Sequence, residues 1–261
     1  MRPIRQILNI FDLHVGSQSA LWHPDFVGND GNKYKLNPLQ EELYDIYCKI
    51  PEDVEEYDTV FLGSDLINGT NRASSGKHQM TTDLNEQMRC VLELLKPLIL
   101  PGTKVIGISG SNYHGSLDYD IDRAITDYFD GRFYGAFGHF RLKQTSLNFL
   151  LTHGTGFPPI YLHTYSSRLA VEYIIGEYMK KYPRIDVHVQ GHFHIVDECT
   201  RLGKKFVFCP AFELFRNMSH TKNYSKHSDI GVTKIVVYDN DMVIVYPFIY
   251  DVKTNFKLES L

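Results

Sequence analysis

The chain has 261 residues, of which 43% are hydrophobic and 22% are charged, and its formal net charge is −4 at pH 7. A chain of this length and ordinary globular composition can bury a full core without disulfides or a structural metal. The negative charge argues against a nonspecific nucleic-acid coat, which would be basic. It leaves a nuclease allowed, because metal ions can supply positive charge within a site.

The cysteines and the first residues bear on the compartment. Cys48, Cys90, Cys199 and Cys209 form no CxxC pair and no zinc-knuckle spacing, so we expect reduced thiols. The opening residues are basic, but the apolar run at 7–11 is too short for the core of a signal peptide. No later run approaches the length of a membrane span. We therefore expect a cytoplasmic protein with no membrane partner.

Five short, apolar runs rich in β-branched residues predict buried strands, because most are followed by Gly, Asp, Asn, Ser or His. They cover residues 7–11, 59–62, 105–108, 149–152 and 187–190. Helical patterns lie between them at 38–49, at 82–98 with Thr82 or Asp83 as the cap, and at 167–181. Strands that alternate with helices predict an α/β fold.

The end of the chain changes character. Apolar runs at 206–208, 234–238 and 243–246 follow one another, and no helix separates the last two. Asp239-Asn240-Asp241 predicts a hairpin turn between those two. We expect these runs to form a second, partly antiparallel sheet that closes the domain.

The chain is predicted to be one domain over residues 1–261, because it contains no internal repeat, low-complexity tract or linker. The polar segment at 16–58 is long for a connection. We expect it to be an elaborated loop that carries the 38–49 helix, and loops of this kind near a site often shape the choice of substrate.

Residues that can bind metals follow every one of the five predicted strands. In chain order these segments are Asp12-Leu13-His14, Gly63-Ser64-Asp65, Gly110-Ser111-Asn112-Tyr113-His114-Gly115, His153-Gly154 and Gly191-His192-Phe193-His194. In an α/β sheet, ligands gather at the carboxyl ends of the strands. We therefore expect the five segments to meet at one edge of the sheet.

These residue types suit a pair of divalent transition metals. Carboxylates and imidazoles fit manganese first, with iron, zinc, nickel or cobalt as alternatives, and the absence of cysteine argues against a purely structural site. In Asp12-x-His14 and His192-x-His194, extended backbone would point both side chains of a pair to one face. A bridging carboxylate such as Asp65 can hold two ions about 3.5–4 Å apart, the separation used for displacement at phosphorus.

The order Asp-x-His, Gly-Asp, Gly-Asn-His, His and Gly-His-x-His resembles the calcineurin-like metallophosphoesterase family, over residues 12–194. The resemblance implies a sandwich of two mixed sheets flanked by helices, in α/β/β/α layers, with a binuclear metal centre at one edge. Ser64 fills a position where the family has glycine, which leaves the Asp65 carboxylate in place.

The resemblance also implies ligand sets and roles. One metal would take Asp12, His14, Asp65 and His194. The other would take Asp65, Asn112, His153 and His192. A hydroxide bridging the metals would attack phosphorus, and the histidine of the Gly-Asn-His motif would protonate or stabilise the leaving oxygen.

The Gly-Asn-His motif departs from the family pattern, because Tyr113 separates Asn112 from His114. Alignment on Asn112 places Tyr113 where the catalytic histidine belongs, and alignment on His114 places Tyr113 where the asparagine ligand belongs. A local bulge would satisfy both, and the flanking glycines permit one. We interpret Asn112 as a metal ligand and His114 as the acid.

Most of the twelve histidines need no functional role. Seven lie outside the motifs, and for each an ordinary surface or core position is favoured. His188 alternates within a predicted strand and is expected to point away from the site. Trp22 lies in the long polar segment, and it is the aromatic residue that we consider as part of a lid over the site.

Three functions are open. The first is a phosphodiesterase, with a nuclease included. The second is a phosphomonoesterase acting on a nucleotide, a small metabolite or a phosphoprotein. The third is a non-catalytic binding protein on the same fold, which should lose ligands. The expected partner is a phosphate-ester substrate, and the charge of the chain does not point to nucleic acid.

Overall fold

The computed structural model describes residues 1–70, 76–111, 114, 120–154, 162–214 and 228–253, with backbone alone at 162 and 163. The strands are β1 (Pro3–Ile10), β2 (Thr59–Leu62), β3 (Lys104–Gly107), β4 (Arg132–Phe133), β5 (Phe137–Arg141), β6 (Asn148–Thr152), β7 (Val187–Gln190), β8 (Asp197–Arg201), β9 (Lys204–Phe208), β10 (Ile230–Tyr238) and β11 (Val243–Tyr250). The helices are α1 (Pro38–Tyr47), α2 (Ile50–Val54), α3 (Leu84–Leu95), α4 (Ile121–Tyr128) and α5 (Leu162–Tyr178).

The strands form two mixed sheets. The first has the order β11-β10-β1-β2-β3-β4, in which β1 to β4 are parallel, β10 runs antiparallel to β1, and β10 and β11 form an antiparallel hairpin. The second has the order β5-β6-β7-β9-β8, in which β6, β7 and β9 are parallel and the two edge strands are antiparallel. The α/β fold class with two mixed sheets is confirmed.

Alternating side chains along the strands build a layered core. Ile7 and Phe61 of the first sheet pack with Phe149 and Val189 of the second, so the two sheets lie face to face. Side chains next to these along a strand point to the opposite face of the sheet. Leu8, for example, follows Ile7 on β1 and packs with the helices that cover the outer face of the first sheet.

The outer layers are helical. Residues of α1, α3 and α4 share one cluster with the outer face of the first sheet. On α5, Leu169 and Ala170 pack against Phe206 and Phe208 on the outer face of the second sheet. The order of layers is therefore helix, sheet, sheet, helix, as the family resemblance implied.

All five strands predicted from the apolar runs correspond to β1, β2, β3, β6 and β7, but they do not share one sheet. The first three belong to the first sheet and the last two to the second. The prediction that the five segments meet at the edge of a single sheet was therefore wrong. They meet because the carboxyl ends of strands from both sheets point to the same end of the sandwich.

The prediction for the end of the chain was also wrong in part. The hairpin exists, but β10 pairs antiparallel with β1, for example Ile7 with Ile235, and so extends the first sheet. Of the three predicted runs, only the one in β9 belongs to the second sheet. The physical reason is that β10 is buried on both faces, which suits an interior position beside β1.

The polar segment at 16–58 carries α1 and α2. Trp22 is fully buried within it and packs against Phe26 and Tyr34, so the interpretation of Trp22 as a lid residue was wrong. Asp83 accepts hydrogen bonds from the first backbone amides of α3 and is the cap of that helix.

All four cysteines are free thiols, and Cys90 and Cys209 are buried. Within the described residues, no helix has both the length and the apolar character that crossing a membrane requires.

His188 points away from the predicted site, as the alternation along the strand indicated. It is 1% exposed, its ring contacts Tyr173 and Phe206, and its Nε2 lies 2.8 Å from the Thr152 hydroxyl. Burial lowers the pKa of His188 to about 3. The folded state therefore keeps this imidazole neutral through the mildly acidic range.

This histidine should make the fold sensitive to acid. Between its ordinary pKa of about 6.5 and the depressed value, the unfolded chain binds a proton that the folded chain does not, so the free energy of unfolding falls as the pH falls. By pH 5 the contribution of His188 to this decrease should be about 2 kcal/mol, at about 1.36 kcal/mol per pH unit. In His188→Gln, whose amide can still bond to Thr152, the decrease should be smaller than in wild type by about 2 kcal/mol.

The measurement is urea unfolding in EDTA at pH 7.5 and pH 5, with the difference between the two pH values compared for the two proteins. Equal decreases in wild type and His188→Gln would contradict the assignment of a neutral buried imidazole.

Candidate metal centre

The loops after strands of both sheets converge on one cluster of carboxylates and imidazoles. Asp12 and His14 follow β1, and Asp65 follows β2. His153 follows β6, and His192 and His194 follow β7. Asp12, His14, Asp65, His153 and His194 are all at most 5% exposed. The cluster therefore lies within the end of the sandwich.

The backbone of these loops is left-handed, which differs from the extended conformation predicted for Asp12-x-His14 and His192-x-His194. Positive φ angles occur at Asp12 (49°), His14 (46°), Ser64 (87°), Asp65 (44°), His192 (75°) and His194 (56°). The side chains are brought to one site by tight turns rather than by strand alternation. Such a conformation costs about 1–2 kcal/mol per non-glycine residue, so the surrounding structure holds it against strain.

Hydrogen bonds between loops hold these turns. The Asp12 amide donates to the Ser64 carbonyl at 3.1 Å, and the His14 amide donates to the Asp65 carbonyl at 3.0 Å. These bonds hold the loop after β1 alongside the loop after β2. Because β1 and β2 are neighbours in one sheet, their loops leave it side by side.

Two of the glycines are required by close approach to a carboxylate. A Cβ atom at Gly110 would lie 2.0 Å from Asp65 Oδ1, and one at Gly191 would lie 2.5 Å from Asp12 Oδ2. Neither contact is sterically allowed for a larger residue without movement of the loop.

Asp12 lies at the centre of a first group of candidate ligands, which it forms with His14 and His194. One carboxylate oxygen, Oδ2, accepts a hydrogen bond from the His192 amide at 2.8 Å. The other, Oδ1, is buried and has no hydrogen-bond partner in the described part of the chain. Nitrogen atoms of His14, His153 and His194 lie around it, each at 3.7 Å.

Imidazoles around Asp12 affect its ionisation. Burial opposes the charge, but contacts with His14 and His194 outweigh it and hold the pKa of Asp12 well below the usual range. The Nε2 atoms of His14 and His194 face each other at 3.1 Å. Asp12, His14 and His194 thus present one oxygen and two nitrogens that could hold a metal ion.

Asp65 lies at the centre of a second group of candidate ligands, which includes His153 and His192. Its Oδ2 lies 3.0 Å from His153 Nε2, and the same nitrogen lies 3.0 Å from His192 Nδ1. The Ser111 amide donates to Asp65 Oδ1 at 2.8 Å. Burial opposes ionisation of Asp65, but His114 and His153 lower its pKa. Asp12, Asp65 and His153 form a further set of ligand atoms close enough to share an ion.

The pKa of His153 shows how strongly the two buried carboxylates favour positive charge at this site. Burial disfavours its protonated form, yet the carboxylate of Asp65 raises the pKa of His153 to about 9. The two carboxylates thus draw positive charge into a buried position. A divalent cation would meet the same demand without a proton on the imidazole.

The structure brings most of the predicted site residues together. Asp12, His14, Asp65, His153, His192 and His194 all lie in the cluster. His114 is beside it, with its ring 4.5 Å from that of His14 and its Nε2 3.9 Å from Asp65 Oδ2. Asn112 and Tyr113 lie outside the described residues, so the register of the Gly-Asn-His motif stays a prediction.

The ring of His114 is oriented by a hydrogen bond from its Nδ1 atom to a backbone carbonyl. Its Nδ1 lies 2.9 Å from the Asn68 carbonyl oxygen, which requires the proton on Nδ1 and leaves Nε2 turned towards Asp65. The side chain keeps 19% of its exposure. Burial lowers the pKa of His114, partly against the effect of Asp65.

Two carboxyl groups near the centre were missed by sequence reasoning. Glu213 Oε2 lies 3.9 Å from His14 Nε2, and Asp122 accepts a hydrogen bond from the Gly110 amide at 2.8 Å. Burial and the neighbouring Asp65 raise the pKa of Asp122 to about 7. Neither residue directly follows a predicted strand, so no spacing signal in the sequence marks it.

No protein-family model matches this sequence, and no curated protein sequence matches it either. Similar solved structures include an archaeal phosphodiesterase, 12% identical with a TM-score of 0.45, covering 93% of this chain and 99% of that one. Vacuolar Protein Sorting 29 from Cryptosporidium parvum is 10% identical with a TM-score of 0.44, covering 94% and 97%. An uncharacterised, predicted phosphoesterase from Streptococcus pneumoniae is 11% identical with a TM-score of 0.39, covering 96% and 99%. At such identities and TM-scores, the function of this chain has to be inferred from its own side chains.

Proposed function

We propose that this chain is a metal-dependent hydrolase of phosphate esters that acts on phosphodiesters with two divalent ions. The observation that carries the proposal is the buried Asp12 Oδ1, which has no hydrogen-bond partner in the described residues and lies 3.7 Å from nitrogen atoms of three histidines. A buried acceptor without a partner costs about 1–3 kcal/mol. A cation shared with the imidazoles would remove this cost.

The residues fit metal binding in kind as well as in place. Carboxylate oxygens and imidazole nitrogens are ligands for manganese, iron, zinc, nickel and cobalt, and the group contains no cysteine. We propose manganese as the first candidate. Bound ions would supply an activated hydroxide and neutralise charge on the phosphoryl oxygens.

The ligand sets follow the resemblance. One ion would be held by Asp12, His14, Asp65 and His194. The second would be held by Asp65, Asn112, His153 and His192. The placement of Asp65 between the groups around His14 and His153 supports its role as the shared ligand.

We propose that His114 serves the leaving group. Its Nδ1 donates to the Asn68 carbonyl, so a proton for a departing oxygen would come from Nε2, which carries one only when the ring is doubly protonated. This nitrogen lies on the side of the cluster near Asp65. The remaining exposure of the side chain gives a substrate access to it.

The charge of the site favours a diester over a monoester. Four carboxyl groups lie in or next to the cluster, on Asp12, Asp65, Asp122 and Glu213. A phosphomonoester carries about −1.5 to −2 at pH 7. A diester carries a single negative charge and is therefore repelled less. A phosphomonoesterase on a nucleotide or small metabolite is the alternative.

A non-catalytic protein on this fold is the third possibility, and the ligand residues argue against it. A protein that had lost the activity should have lost ligands, whereas six of the seven candidate ligands lie together in the described part of the chain. Assays of bis-p-nitrophenyl phosphate against p-nitrophenyl phosphate, with added manganese, test all three functions together. We expect hydrolysis with a preference for the bis-ester.

Metal binding should depend most on Asp65. The protein should take up two ions of manganese per chain, and Asp65→Asn should lower the occupancy of both, because this carboxylate is shared between the ligand sets. Elemental analysis after manganese loading and dialysis measures the occupancy. Asp25→Asn, at an exposed residue paired with Lys33, is the matched control and should bind like wild type.

Chelation provides the second half of this test. EDTA should abolish hydrolysis of the bis-ester, and manganese, cobalt or nickel should restore it. Fewer than one ion per chain after loading, or activity that survives thorough chelation, would contradict the proposed chemistry.

His114→Ala should have an effect that depends on the leaving group. A p-nitrophenolate departs readily, whereas an alkoxide such as a ribose oxygen needs a proton. The variant should therefore keep its metals, lose little on the activated ester, and lose about 10²–10⁴-fold in kcat on a nucleotide diester. Steady-state kinetics on both substrates measure the difference.

Asn112→Ala is the contrasting variant, and it should weaken one metal and slow both substrates alike. If Tyr113→Phe shows the leaving-group dependence while His114→Ala does not, then Tyr113 occupies the position of the acid and the proposed register is wrong.

A further inference from the structure

The side chain of Ser64 links the two sheets at the candidate metal centre. Ser64 follows β2 of the first sheet, and His153 follows β6 of the second. The hydroxyl oxygen of Ser64 lies 2.8 Å from His153 Nδ1, and both residues are buried. The same hydroxyl is in hydrogen-bond contact with the carbonyl oxygen of Gly63. It therefore lies between one backbone acceptor and one imidazole nitrogen, away from solvent.

These two partners determine where the protons lie. A carbonyl oxygen has no proton to give, so the Ser64 hydroxyl donates to Gly63. Because a hydroxyl has a single proton, its oxygen then accepts a hydrogen bond from the imidazole. His153 consequently carries a proton on Nδ1, and in the neutral ring its Nε2 keeps a free electron pair.

The other nitrogen of His153 faces candidate ligands of the second ion. Its Nε2 lies 3.0 Å from Asp65 Oδ2 and 3.0 Å from His192 Nδ1. A metal ion binds an imidazole only through a nitrogen that has no proton. The hydrogen bond to Ser64 therefore selects the tautomer of His153 that the second ion requires.

The backbone at Ser64 is in a conformation that favours glycine. Its φ angle is 87°, in the left-handed region that glycine adopts without a steric penalty and other residues adopt at a cost. A glycine would fit the same turn, but it would lack the hydroxyl. The contact with His153 is thus what a serine adds at this position.

We propose that Ser64 is a positioning residue for the second metal ion, because it accepts the Nδ1 proton of His153. This rests on the proposed metal-dependent function and adds to it a residue that binds no ion itself. Asp12 Oδ1 lies 3.7 Å from the same nitrogen, too far for a hydrogen bond unless the ring turns. Without the Ser64 hydroxyl, such a turn would move Nε2 away from Asp65.

Two variants separate the hydroxyl from the backbone conformation. Ser64→Ala and Ser64→Gly both remove the hydroxyl, but only glycine relieves the left-handed strain. Both should bind one of the two manganese ions about 10–100-fold more weakly, the range for losing the hydrogen-bond partner of a ligating histidine. The other ion should bind as in wild type. Titration with manganese, followed by the EPR signal of the free ion, measures both affinities.

A double variant tests whether the effect passes through the imidazole. In a His153→Gln background, Ser64→Ala should cause no further loss of manganese affinity, because the side chain through which it acts is gone. Ser166→Ala is the matched control, since it removes the hydroxyl of a buried serine on α5. It should bind both ions like wild type.

Thermal unfolding in EDTA measures the backbone strain without metal. Ser64→Gly should have a Tm about 2–4 °C above that of Ser64→Ala, because alanine keeps the unfavourable φ angle. A merely structural role for Ser64 would make metal affinity follow this order of stability. A positioning role predicts equal losses of affinity in two variants of unequal stability.

The two proposals fail in different ways. Wild-type protein that binds two manganese ions but hydrolyses no phosphate ester would overturn the proposed function, and the affinities would still decide the role of Ser64. Wild-type protein that binds no second ion would overturn both. The positioning role is wrong if manganese affinity is unchanged in Ser64→Ala and Ser64→Gly, if both ions are weakened equally, or if Ser64→Ala adds a loss to His153→Gln.

Discussion

Two buried carboxylates surrounded by imidazoles set the electrostatic requirement that the loops at this end of the sandwich have to meet. Asp12 is fully buried and Asp65 is 4% exposed, and both have a pKa held below the usual range by neighbouring histidines despite the opposing effect of burial. Two negative charges in so small a volume require compensation. The imidazoles can supply it in part by protonation, as the raised pKa of His153 indicates. Divalent cations would supply it in full.

The sandwich provides the rigidity that this arrangement needs. The left-handed loops that carry the carboxylates and imidazoles would be unfavourable in isolation, and they persist because each leaves a strand buried between two packed layers. Both sheets contribute, so the site lies where their loops meet. A change in the packing of one sheet on the other would move Asp65 relative to His153. The stability of the core and the geometry of the site are therefore coupled.

The fold could be predicted to the extent that local pattern determines it. The five buried strands were found because each is a short apolar run, and the candidate ligands because they directly follow those runs. The sheet to which β10 belongs was not predictable, since an apolar strand carries no mark of its partner until Ile7 and Ile235 are seen to pair. Trp22 was misread because a polar segment around it concealed a buried position. Glu213 and Asp122 reach the site only through tertiary packing.

Anomalous diffraction from crystals of the manganese-loaded protein, recorded at the manganese absorption edge, would locate bound manganese ions directly. We expect two peaks, one among Asp12, His14 and His194 and one beside Asp65 and His153, with Asp65 between them. The absence of any peak in this cluster under saturating manganese, or a single peak bound elsewhere on the chain, would contradict a binuclear centre at this site.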